Sequence, residues 1–171
     1  MRVIPAAIVA LAIIMASGCG SASPGTLRLT CADSKGAPAD LATLPSPTRV
    51  GRLYLPSLRN AAEAKLVSWG DGFGWKQYAI VAPGPRRPVV VTLLGSNGDA
   101  GLLYGEPVDP STYRLAEAYR RVSFGSCGGE SAGYPGGIVV RRPGCVRLRI
   151  EGAQPRRREL TVAIGTRTCA S

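Results

Sequence analysis

Cys145-Val146-Arg147-Leu148-Arg149-Ile150 is the stretch on which the fold turns. Val146, Leu148 and Ile150 alternate with Arg147 and Arg149, and a period of two puts the aliphatic side chains on one face of a strand and the guanidinium groups on the other. Such a strand is half buried. Residues 151–155 read as a turn, and Leu160, Val162 and Ile164 repeat the alternation beyond it, which predicts a hairpin-like pair near the C-terminus. Short apolar or alternating runs at 27–30, 65–69, 77–82, 88–94, 113–119, 121–124, 137–141, 145–150 and 159–164 are separated mostly by Gly, Pro, Asn or Asp. Asn97-Gly98-Asp99 marks a turn after 88–94. Residues 57–66, Ala-rich behind Pro56, carry the one helical signal. Short strands at spacings of about ten residues predict an all-β, antiparallel immunoglobulin-like β-sandwich, with a small β-barrel as second choice.

The composition agrees. The chain's 171 residues allow one domain of ordinary size. Hydrophobic residues at 45% against 19% charged can fill a core, unlike the highly charged, core-poor chains that stay disordered. Its 22 Gly and 14 Pro break up long helices. No His occurs, which excludes a Ser-His-Asp or Cys-His nucleophile, a His metal site and a His proton shuttle.

Arg2 precedes an apolar run over residues 3–15, too short to span a bilayer but right for the core of a secretory signal. The run ends in Ala16-Ser17-Gly18-Cys19, which resembles the lipobox of bacterial lipoproteins, where small residues precede a Cys that is acylated before the leader is cut. The resemblance implies a signal peptide over 1–18, lipidation of Cys19, and an exported protein anchored to the outer face of the cytoplasmic membrane in the cell envelope. The family pattern prefers Leu where Ala16 stands, and plain secretion is the alternative. The small, polar residues that follow suit a flexible tether, so 19–26 is read as lipidated Cys and tether, and 27–171 as a single β-sandwich domain.

Cys31, Cys127, Cys145 and Cys169 remain, an even number that predicts two disulfides in an oxidising compartment, with three connectivities open. The expected pairs are Cys31 with Cys169, joining the opening and closing strands, and Cys127 with Cys145, closing a short loop. A four-Cys metal site has no Cys-x-x-Cys pair to start it. Cys127-Gly128-Gly129, Tyr134-Pro135-Gly136-Gly137-Ile138-Val139-Val140 and Gly144-Cys145-Val146 together resemble the C-terminal portion of small exported or lipid-anchored proteins of actinobacteria. That resemblance implies a secreted, disulfide-bonded architecture and brings no activity with it. The paired glycines suit positive φ and close backbone approach where a loop enters a strand.

Several motifs look like chemistry. Gly129-Glu130-Ser131-Ala132-Gly133 matches Gly-x-Ser-x-Gly and looks like the nucleophile elbow of carboxylesterases, but that mechanism needs a His to take the serine proton. Gly70-Asp71-Gly72-Phe73-Gly74 lacks dinucleotide-loop spacing and reads as a tight loop carrying aromatics. Trp69, Phe73 and Trp75 form a candidate aromatic platform for a ring ligand, with Tyr78 beside them; the competing reading places the tryptophans in the sandwich core. Asp71, Asp99, Glu106 and Asp109 have no EF-hand spacing and read as turn carboxylates, so no metal site is assigned.

The formal charge of +10 invites an anionic partner. Arg141, Arg142, Arg147, Arg149, Arg156, Arg157 and Arg158 crowd the C-terminal hairpin and form a candidate patch for phosphate or carboxylate, which guanidinium grips as a fork. The bland reading is a solvated strand face. The expected function is a lipid-anchored extracytoplasmic binding or interaction module. Its expected partners are the membrane, through the anchor, and an envelope polymer or protein, with no nucleic acid and no cofactor. The alternative is an enzyme working with carboxylates alone, such as a glycoside hydrolase.

Overall fold

A strand with one aliphatic and one charged face is most stable in a sheet packed on a single side, and the 145–150 stretch occupies such a place. The computed structural model describes residues 25–38, 40–63, 65–95, 98–105, 113–154 and 157–169. Its strands are β1 Thr26–Leu29, β2 Thr48–Val50, β3 Leu53–Leu55, β4 Val67–Trp69, β5 Gly72–Val81, β6 Val89–Leu94, β7 Ala100–Tyr104, β8 Arg121–Phe124, β9 Ala132–Val140, β10 Gly144–Glu151 and β11 Arg158–Ile164. One sheet has the order β1-β8-β6-β10-β11, and the other β2-β3-β5-β9-β7 with β4 also paired to β5. Pairing is antiparallel apart from β1 and β8, which run parallel. The sheets face each other as a β-sandwich, and no barrel closes among the described residues.

Across the inner face of the five-stranded sheet, Val146 stands opposite Val162 and Leu148 opposite Leu93. Phe124 meets Tyr104 edge-on, ring centroids 4.9 Å apart, and Tyr134 at 5.4 Å. Burying each such side chain contributes roughly 1.5–3 kcal/mol. The Tyr134 hydroxyl is shared between the carbonyls of Thr30 (3.1 Å) and Gly125 (3.0 Å), tying together the ends of β1 and β8.

Glycines let the six-stranded sheet be covered on both faces. A methyl group on Gly136 would overlap the Tyr104 ring, and one on Gly137 would lie 3.0 Å from the Trp69 ring. The glycines of the Tyr-Pro-Gly-Gly motif therefore sit inside β9 and permit close approach, rather than turning a loop into a strand. The outward side holds a second apolar cluster in which Trp69, Leu103, Tyr113, Leu115, Ala118 and Val139 meet.

Several expectations are corrected. Residues 113–119 do not pair as a strand: Leu115–Glu117 form a 3-10 turn, and Tyr119 makes one isolated bridge to Leu102. Residues 57–66 yield a 3-10 helix at Leu58–Ala62. The 70–74 loop shrinks to Gly70-Asp71, the two-residue turn of the β4–β5 hairpin, with β5 running on from Gly72. Gly70 has φ +52, as hairpin turns with Gly at the first loop position require.

The disulfides are Cys31–Cys127 and Cys145–Cys169, with Cα separations of 5.3 and 5.7 Å, and not the expected pairs. Strand direction is the reason. Because β1 and β8 are parallel, the residues following both strands emerge at one end of the sandwich, where Cys31 meets Cys127. Ile164, the last residue of β11, pairs with Gly144 at the opposite end, and the chain beyond it reaches Cys145. Cys31 and Cys169 lie at opposite ends of the layers.

Candidate anion-binding site

Cross-strand register divides the predicted arginine patch. Arg147 and Arg149 project from the outer face of the five-stranded sheet, as their alternation predicts. Arg149 lies opposite Glu159 in β11 and donates to its Oε1 from Nε (3.1 Å) and Nη2 (3.0 Å). Arg121 approaches Glu151 at 3.8 Å. Arg141 donates from Nε to Asp99 at 3.2 Å. Arg157 and Arg158 are exposed at the other end of the sheet, Arg158 opposite Ile150, and Arg156 lies outside the described residues. The seven residues are therefore not one patch.

The structure does bring Arg142 and Arg147 together. Both line a hollow of about 400 Å³ between the end of β6, the start of β7, the end of β9 and the start of β10, with Leu94, Gly95 and Asp99 among its other walls. Both are exposed, and neither makes an ion pair among the described residues. Asp99 is held by Arg141, so the hollow keeps a positive balance. Two guanidinium forks converging on a recess can grip a phosphate or carboxylate in bidentate fashion.

The aromatic platform does not assemble. The Trp69 side chain is buried on the outward face of the six-stranded sheet, lying over Gly74 and Gly137. Trp75 is half-buried against the sandwich core, and Phe73, two residues before it on the same face, is 39% exposed. Asp71 accepts a hydrogen bond from the Leu115 N–H at 2.6 Å, and Asp99 pairs with Arg141. Glu106 and Asp109 lie outside the described residues, as does Cys19. Ser131 follows the Cys127–Glu130 bridge and leads into β9, a loop-to-strand junction rather than the strand-to-helix turn of a nucleophile elbow.

One cleft has no counterpart in the sequence reading. About 530 Å³ of space opens at the seam between β1 and β7, with Leu27, Leu29 and Tyr104 inside and Arg28, Asp33 and Glu117 on its lining. Thr30 donates from its N–H (2.7 Å) and hydroxyl (2.8 Å) to Asp33, which holds that carboxyl below its ordinary pKa. Burial first, then the nearby Glu117 carboxylate, pushes the Tyr113 phenol upward. The cleft is invisible in sequence because it needs the first strand beside a strand that shows no alternation.

Compared with protein-family models, with curated proteins and with solved structures, the chain matches none.

Proposed function

We propose that the protein is a lipid-anchored extracytoplasmic module that holds an anionic ligand in the hollow between Arg142 and Arg147. The observation that carries this reading is the contrast among the arginines: Arg121, Arg141 and Arg149 face carboxylates, while two guanidinium groups at a recess do not. Two disulfides suit an oxidising compartment, and the leader ending at Cys19 supplies the anchor. A sandwich with a filled core behaves as a rigid mount for such a site.

Two measurements test the reading. The mass of the native protein extracted from membranes should correspond to a start at acylated Cys19, and an unmodified mature start elsewhere refutes the anchor. Titration with inorganic polyphosphate should saturate, weaken with salt, and disappear in the Arg142→Ala/Arg147→Ala variant. Undiminished binding by that variant refutes the site.

A carboxylate-only hydrolase is the second reading, favoured by Asp33 and Glu117 lining one cleft. The low-held Asp33 stays ionised, which suits a nucleophile rather than a proton donor. Release of reducing ends from envelope glycans, abolished by both Asp33→Asn and Glu117→Gln, would favour the enzyme over the module.

A further inference from the structure

Strand directions place the hollow and the entry of the chain at the same end of the sandwich. Thr26 opens β1 beside Arg121, Arg121 lies opposite Thr92 near the end of β6, and Arg147 lies opposite Leu94. The start of β1 therefore shares its end of the sheet with the end of β6 and the start of β10, which wall the hollow. In the second sheet, Phe73 and Ala100 both pair with Val140, the residue from which the chain crosses to β10. That puts the start of β5 at this end too. Arg167, exposed, follows β11, whose last residue pairs with Gly144.

The same end carries apolar surface. Among the described residues the exposed large hydrophobic side chains are Val67 (50%) and Phe73 (39%), both on the β4–β5 hairpin. Of the carboxylates near this end, Asp99 is paired with Arg141 and Asp71 accepts from the Leu115 N–H, while Glu63 stands exposed where Ala61 meets Gly165. Unpaired arginines at the end of the sandwich where Phe73 is exposed match a bilayer interface, where headgroup phosphates lie next to the upper acyl region. Reach agrees as well. Six residues lie between Cys19 and Thr26, and the seven steps from one to the other span at most about 25 Å.

The geometry points to an anionic phospholipid surface as the ligand of this end. Arg142 and Arg147 take headgroup phosphate, Phe73 enters the interface, and the body is held upright on the membrane. The inference rests on the anion-binding reading of the hollow. It adds what that anion is and how the domain stands.

The test uses the chain from Gly25 to Ser171, which contains both sheets and both disulfides and has no acylation site. Sedimentation with phosphatidylcholine vesicles is compared with sedimentation on vesicles that also contain phosphatidylglycerol. Binding should require the anionic lipid and fall with salt. Neutralising one arginine should lower partitioning about fivefold, and Arg142→Glu/Arg147→Glu more than tenfold. Arg147→Gln serves if the double reversal fails to fold. Arg157→Glu/Arg158→Glu, at the far end, should cost much less. No preference for the anionic vesicles, or equal losses from the two ends, overturns the inference. Polyphosphate binding without vesicle binding overturns it while leaving the anion site standing, and failure of both removes both.

Discussion

Gly74→Ala tests how the outward face of the six-stranded sheet is covered. The three atoms nearest to a methyl group at this position all belong to the Trp69 ring, and even the third of them is only 2.7 Å away. Carbon atoms meet comfortably at about 3.5–4 Å, so the indole must leave its bed, and overpacking of this kind costs about 1–3 kcal/mol. Trp69→Ala alone removes the ring and costs about 3–5 kcal/mol, towards the lower figure because its buried Nε1 has no hydrogen-bond partner. In the double variant the methyl group added at position 74 enters the space the ring has left, and replacing Gly inside a strand recovers about 0.5–1 kcal/mol. The double variant should therefore be at least as stable as Trp69→Ala, with the two effects departing from additivity by about 1.5–4 kcal/mol. Urea unfolding followed by far-ultraviolet circular dichroism measures this without relying on tryptophan emission. Additive losses would refute the placement of the indole over Gly74, and with it the register of β4 on β5.

Three further outcomes follow from the same structure. Removing Cys31–Cys127, whose partners are 96 positions apart, should cost about 4.7 kcal/mol in the chain-entropy estimate, against about 3.5 for Cys145–Cys169 at 24; a reversed order in chemical denaturation contradicts the pairing. Burial raises the phenol pKa values of Tyr104, Tyr113 and Tyr134. Their contribution to stability is complete below the ordinary phenol value near 10 and is lost as pH climbs through the folded values, so the 295 nm titration should lag that of the urea-unfolded chain. Asp71→Ala should cost about 1.5–3 kcal/mol by stripping the Leu115 N–H of a charged acceptor, and amide exchange should accelerate at 113–118.

The sandwich is legible in sequence wherever one sheet face is wet. In β10, Arg147 and Arg149 declare which side is outside, and the strand emerges over nearly the residues the alternation marks. β7 shows why other strands escape notice. All five of its residues are buried, because Leu102 and Tyr104 face the core while Leu103 lies in the Trp69 cluster, so no alternation survives. β2 and β3, at three residues each, are too short to show a period. At 113–118 the apolar residues drape over the outer face of a sheet that the segment joins only at the Tyr119–Leu102 bridge, which mimics a strand's composition without its pairing. The disulfides and the hollow were hidden for a common reason: each depends on direction and register. Nothing in Arg147 or Arg149 alone says that Glu159 stands opposite one and Leu94 opposite the other.

The parallel contact between the first strand and β8 has a consequence for how the molecule is made. A polypeptide appears amino end first, and here β1 has no strand partner among the described residues until residues 121–124 arrive. Closing so long a loop is slow, and an unsatisfied strand edge is open to strangers in the interval. Cys31 meanwhile waits for Cys127, which is the next cysteine to emerge, as Cys169 is the next after Cys145. Oxidation in the order of synthesis therefore gives both native pairs, and the long wait exposes the strand edge without calling for a disulfide-shuffling catalyst.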